Sequence, residues 1–291
     1  MELQQLRYVI AVAEEANFTR AAKRCFVVQS ALSHQIKALE SELGTDLFAR
    51  TSRRVDLTPA GAAFLPHARR ALESAELAAQ EAVAAHGIVN GALKIGMIPT
   101  VSAVNVPVLL RHFHESFPQV NTSLSVRASD DIVESVADGA LDVGVVGMPR
   151  GRAPKGVESA HLTTERLAAI VHAGHRLAHR ESVDLAELTE EVFADFATGG
   201  AGREQSDVVF VSAGIERNVR FEADTPESLL GLVREGLAVC LLSPEAISDS
   251  TGVRAIAVNG GPERTQYLVW SRFNPSPAAR AFVDFVEEPQ T

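Results

Sequence analysis

Two runs near the amino terminus decide the fold: Phe18-Thr-Arg-Ala-Ala-Lys-Arg24 and Gln29-Ser-Ala-Leu-Ser-His-Gln-Ile-Lys-Ala-Leu-Glu40, the second closed by Leu43-Gly44. In the second run Leu32, Ile36, Leu39 and Leu43 recur at steps of four, three and four, the spacing of one buried helical stripe. Gly44 suits the carboxyl-terminal stop of that helix. In the first run Thr19 is the expected N-cap of a short helix ending at Arg24. Ala21 and Ala22 let a neighbouring helix approach closely. Upstream, Leu3, Leu6, Ile10 and Ala13 repeat at helical spacing. Two short helices joined by a tight turn and docked on a first helix make a helix-turn-helix.

The face of the third helix opposite its apolar stripe carries Gln29, Ser30, Ser33, His34 and Lys37, with Gln35 beside them. Hydrogen-bonding side chains with one cation suit the base edges and phosphates of a major groove. On a lone helix, a solvated face is the plainer reading. The next segment favours the other one. Phe48 to Leu57 reads as two short strands around a basic turn, with Arg50, Arg53 and Arg54 available to phosphate or minor groove. Such a hairpin beside a recognition helix is a wing. Thr19 and Arg20 complete the candidate DNA-contacting set.

Charge is distributed accordingly. Residues 20–70 hold nine Lys/Arg against four Asp/Glu, whereas residues 71–291 hold seventeen against thirty. A small basic module precedes a large acidic body, which confines nucleic-acid contact to the amino-terminal end. The chain has 291 residues, 46% hydrophobic and 22% charged, enough for about two globular domains. No apolar run reaches the roughly 18 residues of a membrane span, and no signal-peptide core precedes the first helix. Cys25 and Cys240, far apart, exclude a disulfide scaffold and fit a reducing cytoplasm.

Phe18 to Arg24, Gln29 to Glu40, Leu43-Gly44, Leu47-Phe48-Ala-Arg50 and Leu57-Thr58-Pro-Ala-Gly61, in that order, resemble the LysR-type transcriptional regulators, and the resemblance extends over essentially the whole chain. It implies a winged helix-turn-helix, a long dimerisation helix and a two-lobed effector domain like a periplasmic solute-binding protein. It also implies dimers and tetramers on a pseudo-palindromic promoter site, and contact with RNA polymerase. Three positions depart from the family pattern. Val28 stands where Ser or Thr is usual, Ser30 where Pro is usual and His34 where Arg is usual. Val28 has no side-chain oxygen to cap the recognition helix, a role Ser30 would take by shifting the helix start. His34 is a weaker phosphate or guanine reader than Arg at neutral pH.

Thr58-Pro59 reads as an N-cap followed by proline at the first helical position. From Pro59 to His86 there are eleven alanines in 28 residues, a helix of about 42 Å. Phe64, Ala68, Ala71, Ala75, Ala78, Ala82 and Ala85 alternate steps of four and three, a coiled-coil seam with Leu65, Leu72 and Ala79 beside it. Packing against the chain's own body is the plainer reading, and the resemblance favours self-pairing. Pro66 is expected to kink the helix early. The expected organisation is therefore a DNA-binding domain over 1–58, a linker helix and hinge over 59–90 and a regulatory domain over 91–291.

The acidic body alternates strand-like and helix-like runs, which specifies an α/β class with parallel-rich sheets. Strands are expected at 91–98, 120–126, 141–146, 167–171, 192–197, 219–223, 237–242 and 267–270, the last returning to the first lobe. Open α/β sheets bind ligands outside the carboxyl ends of their strands, where helix N-termini point. That rule selects Thr100, Val101 and Ser102, then Ala128 and Ser129, then Gly147 and Met148, with Thr198, Gly199 and Thr225 in the second lobe. Hydroxyls and backbone N–H groups at helix starts suit a small anion or carboxylate. Taken singly, Thr100, Ser129 and Thr225 read better as helix caps, and it is their convergence on one cleft, with the resemblance, that favours an effector site; Asp130 and Asp224 would repel an anion unless they face away.

His172, His175 and His179 have spacings that zinc sites use, but His175-Arg-Leu-Ala178 resembles a family turn after a strand, so no metal is expected. No G-x-S-x-G elbow, P-loop, paired-carboxylate motif or cofactor signature appears. Cys240 lies in an apolar strand, where thiols are inert. The expectation is a cytoplasmic, ligand-responsive DNA-binding regulator and no enzyme. The competing class is a small-molecule receptor or enzyme whose first domain is only an interaction module, and salt-dependent binding to a palindromic duplex separates the two.

Overall fold

The computed structural model describes residues 1–50, 55–247 and 249–287, with Arg50 described through its backbone alone. The described chain forms two compact units, Met1 to His86 and Gly87 onward.

The first unit opens with helices α1 (Leu3–Glu15), α2 (Phe18–Arg24) and α3 (Gln29–Leu43). Leu32, Ile36 and Leu39 of α3 are fully buried and pack with Val9, Val12, Ala21 and Ala22. Gly44 ends α3 in the left-handed conformation. The cap of α2 differs from expectation. Asn17, not Thr19, is its N-cap, and the Asn17 side chain accepts from the Arg20 N–H at 2.9 Å. The helix therefore begins at Phe18, two residues earlier than a Thr19 cap would start it, and the Phe18 ring meets Phe48 edge-on. Nor does Ser30 shift the start of α3. The helix begins at Gln29 with Val28 as its N-cap and no side-chain cap bond.

Strands β1 (Phe48–Arg50) and β2 (Val55–Leu57) pair antiparallel, with Phe48 opposite Leu57. Buried Glu40 fastens this hairpin to α3, its carboxylate accepting from the backbone N–H of Leu47 and Phe48. Helix α4 (Pro59–Ala84) follows, capped by Thr58, which accepts from the Gly61 N–H at 3.0 Å. A Cβ at Gly61 would lie 2.1 Å from the Leu47 carbonyl oxygen, so only glycine lets α4 start against the hairpin. Pro66 lies inside α4, which continues as helix beyond it. Ala68 and Leu72 are buried against Leu6, with Ile10 and Phe64 beside them.

The second unit has two lobes. The first contains β3 (Gly91–Met97), α5 (Val106–Ser116), β4 (Val120–Val126), α6 (Ser129–Ala137), β5 (Val143–Pro149) and β6 (Glu158–Arg166). The chain then builds the second lobe from β7 (Ala168–His172), β8 (Ser182–Asp184), β9 (Val192–Asp195), α7 (Ala201–Ser212), β10 (Asn218–Glu222), α8 (Pro226–Arg234), β11 (Cys240–Leu242) and β12 (Val253–Asn259). It returns through β13 (Glu263–Trp270) and ends on α9 (Pro277–Glu287). The first sheet has the order β4-β3-β5-β13-β6, with β3 parallel to β4 and β5, and β13 antiparallel to β5 and β6. The second has the order β11-β7-β12-β8, and parallel β9 and β10 join it by a bridge from Phe193 to Val239. Strands β6, β8 and β12 escape the sequence reading, and β13 begins four residues before the expected start at Tyr267.

Each lobe has its own apolar centre. Leu93, Ile95, Phe113, Leu268 and Phe282 fill one side of the first sheet, and Phe193, Phe210, Val239 and Ile256 fill the second lobe. Paired β6 and β13 carry both chain crossings between the lobes.

Candidate DNA-binding face and effector cleft

Burial of Leu32, Ile36 and Leu39 turns the other side of α3 outward. Gln29, Ser30, His34 and Lys37 are exposed, and Ser33 is half-buried. Gln35 is half-buried and accepts from Gln5 Nε2 at 3.3 Å, which ties the recognition helix to α1. Thr19 is exposed at the start of α2. Arg20 donates to the Glu15 carboxylate at 3.2 Å and to the Glu15 carbonyl. Arg50 lies on β1 at the turn of the wing, opposite Val55. Arg53 and Arg54 lie outside the described residues.

In the effector domain a cavity of about 460 Å3 opens between the lobes, lined by Thr100, Ala128, Ser129 and Gly147 from one and by Thr198 and Gly199 from the other. The starts of α6 and α7 border it, and neither has a side-chain cap; their N-caps are Ala128 and Gly200. Backbone N–H groups at both helix starts are therefore left without a side-chain acceptor. Asp130, Asp131 and Asp224 also line the cavity.

The selected hydroxyls have different duties. The Ser129 hydroxyl is buried, donates to the Gly147 carbonyl at 2.9 Å and accepts from the Gly147 N–H at 3.1 Å. Thr100 Oγ1 accepts from Arg264 Nη1 at 2.5 Å, which leaves its own proton for another partner. Ser102 lies at the crossing strands, in a separate recess of about 760 Å3, where it donates to Glu165 at 2.6 Å. Val101 and Met148 pack into the first lobe's apolar clusters. Thr225 caps α8, accepting from the Ser228 N–H at 3.2 Å. Val101, Ser102, Met148 and Thr225 are thus not among the residues that line the cavity, whereas the other six are.

The sequence reading missed the groups that hold the crossing together. Arg264 on β13 is buried, lines the cavity, and donates through Nε to Glu165 Oε1 on β6 at 2.7 Å. Gln266 donates to the same oxygen at 2.7 Å and to Ser102 Oγ at 2.5 Å. Burial pushes the Glu165 carboxyl up, but the Arg264 charge and hydrogen bonds from Ser102, Ser243 and Arg264 outweigh it and hold the group below its ordinary value. A Cβ at Gly147 would lie 2.9 Å from Arg264 Cδ, so glycine there gives the guanidinium stem its passage. The sequence carried one signal, a Glu and an Arg close to the ends of two polar strands, but β6 itself was unread. A second group spans the lobes. Arg152, after β5, pairs with Asp130 at 2.5 Å and also with Glu204 of α7. Nearby Ala201 of α7 is fully buried in an apolar cluster of the first lobe.

Comparison with known proteins accounts for both units. Residues 3–62 match the bacterial regulatory helix-turn-helix model of the lysR family, and residues 86–290 match the LysR substrate binding domain. The chain belongs to the LysR family. It is a LysR-type DNA-binding transcriptional regulator with an effector-binding domain, and DNA binding and self-association are typical of this family. It is 36% identical over 245 residues to the HTH-type transcriptional regulator ShiR of Corynebacterium glutamicum strain R, covering 83% of this chain and 82% of that protein. It is 30% identical over 280 residues to the DNA-binding transcriptional dual regulator OxyR of Escherichia coli K12, covering 94% and 91%. Among solved structures, full-length CbnR in complex with its target DNA matches with a TM-score of 0.71 and 30% identity, over 98% of this chain and 99% of that one. Among the described residues no helix is long and apolar enough to cross a membrane, and no group of three His, Cys, Asp or Glu is placed to hold a metal. His175 instead contacts Glu191 at 3.2 Å.

Proposed function

We propose that this regulator binds a pseudo-palindromic duplex in the cytoplasm as a dimer or a tetramer of two dimers. In this reading Gln29, Ser30, Ser33, His34, Gln35 and Lys37 meet the major groove, and Thr19, Arg20, Arg50, Arg53 and Arg54 meet the backbone or minor groove. RNA polymerase is the partner through which the bound complex acts. The observation that carries the DNA assignment is the division of α3, with three fully buried aliphatic residues on one side and exposed Gln29, Ser30, His34 and Lys37 on the other. Lys37→Ala is expected to weaken binding on all sequences and to lower the salt slope by about one. Ser33→Ala is expected to change sequence preference more than salt dependence. Unchanged binding by both variants, with folding intact, would remove the assignment.

The effector in this reading is a small anion, a carboxylate, held in the interlobe cavity. Support comes from the two helix starts without side-chain caps, one from each lobe, and from Thr100 and Thr198 beside them. A ligand shifts the lobes only by its differential affinity for their arrangements, so a bridging contact matters to the switch itself. A thermal-shift screen of small carboxylates finds the ligand, because selective binding to the native state raises the melting temperature. Thr100→Val is then expected to leave DNA affinity without ligand unchanged and to blunt the ligand-dependent change. A ligand that binds and switches this variant as fully as the parent would rule out Thr100 as a contact.

A further inference from the structure

Val28 and Phe26 sit at the leading end of α3, and neither is accounted for by the fold. Val28 is the N-cap of the recognition helix, makes no side-chain cap bond and is 68% exposed. A valine here forfeits the hydrogen bond that Ser, Thr, Asn or Asp would give, and most of its surface remains in water. Phe26, two residues earlier in the turn, is 96% exposed and takes a left-handed φ of 56°, a conformation unfavourable for a bulky side chain. The free protein therefore carries an uncapped helix start and, two residues before its cap, a strained, solvated ring. Gln29 and Ser30, both exposed, continue directly from this apolar pair along α3.

We infer that Val28 and Phe26 read thymine by packing on its 5-methyl group in the major groove. The inference rests on the reading of α3 as the recognition helix. N-terminal residues of such a helix approach the base edges most closely. Of the four bases only thymine offers an apolar group there, and aliphatic or aromatic contact with its methyl is a recognised form of readout. Val28 directly precedes Gln29, the first exposed residue of the recognition face, so a duplex that covers that face reaches this end of the helix. Burial of the two side chains on DNA recovers the free energy that their exposure forfeits in the free state. The pair thus supplies at the helix start a preference for A·T steps, which Ser or Thr at position 28 would supply less strongly.

The test begins with an operator selected from a random duplex library by the full-length protein. Each thymine in turn is replaced by deoxyuridine, which removes the methyl and nothing else. At one or two positions per half-site, affinity is expected to fall about fourfold, the worth of one buried methyl group. Val28→Ser is expected to bind the thymine and deoxyuridine duplexes equally at one such position and to melt at a higher temperature, because it restores the cap. Phe26→Asn should abolish the discrimination at the other. Lys37→Ala is the reference and should weaken both duplexes by the same factor. Indifference of the parent to deoxyuridine at every position overturns the inference, as does full discrimination retained by both apolar variants. If Lys37→Ala also binds as the parent does, the recognition-helix reading fails with it; if that variant weakens while deoxyuridine is tolerated, only the methyl contact fails.

Discussion

Arg264 buries its guanidinium against Glu165 while also holding Thr100, so a single side chain joins the crossing strands to the cavity wall. Removing one member of a buried pair leaves the other charge uncompensated, and Arg264→Ala is expected to destabilise the protein by about 3–5 kcal/mol in denaturant unfolding. The Glu165 carboxyl is held below its ordinary value in the folded state. Its contribution is therefore complete above the unfolded carboxyl range and is lost as the pH falls through the lower folded value. Unfolding curves for the parent and Glu165→Gln should accordingly differ at neutral pH and approach each other in acid. Cys240 behaves in the opposite way. Burial pushes its thiol far up, so it holds no thiolate to react. It is also the only cysteine after Cys25, which leaves the effector domain no second thiol for a disulfide. Despite the likeness to OxyR, mild hydrogen peroxide is expected to leave operator affinity unchanged in a mobility-shift titration.

Helix α4 divides along its length. Phe64, Ala68 and Leu72 are used within the protomer against Leu6 and Ile10, whereas Ala78, Ala82 and Val83 are exposed. The seam is thus partly internal, and Leu72→Glu would damage the fold of the DNA-binding unit rather than report on assembly. Ala78→Glu lies in the exposed stretch and should lower the mass measured by sedimentation while leaving the protomer folded; an unchanged mass would place the subunit contact elsewhere. The elements legible in the sequence were those with a strong period or a distinct cap. The stripe of α3, the Thr58-Pro59 start of α4 and the apolar runs of β3 and β5 belong here. Strands β6 and β12 were not legible, because β6 buries none of its residues fully and β12 alternates irregularly between buried and exposed ones. The cavity-facing strand ends were legible for Thr100, Ser129, Gly147 and Thr198, since the rule of strand carboxyl ends needs only order along the chain. Arg264 escaped because it enters the cavity from the beginning of its strand, an end that this rule does not inspect. Asn17 is not distinguishable as the cap from sequence alone, because Thr19 satisfies the same preference two residues later.

Across the effector domain, Arg152 ties Asp130 to Glu204 of α7, and Ala201 of α7 is buried among first-lobe residues, so both join the lobes. Arg152→Ala should let the cavity mouth open more often, seen as faster amide exchange over 129–131 and 201–205 with β11 still protected. Equal exchange in both proteins would mean that the buried alanine alone suffices. The sheet order β4-β3-β5-β13-β6 has a further consequence, for synthesis. β13 separates β5 from β6, yet it is made about a hundred residues after β6, once the entire second lobe has been translated. Until it arrives, β5 has an open edge and β6 has no neighbour at all. The second lobe, continuous from β7 to β12, can be complete on the ribosome while the lobe begun before it still waits. The nascent first lobe is therefore an exposed-edge intermediate by construction. A chain ended at Pro262 would retain one finished lobe attached to one that cannot close.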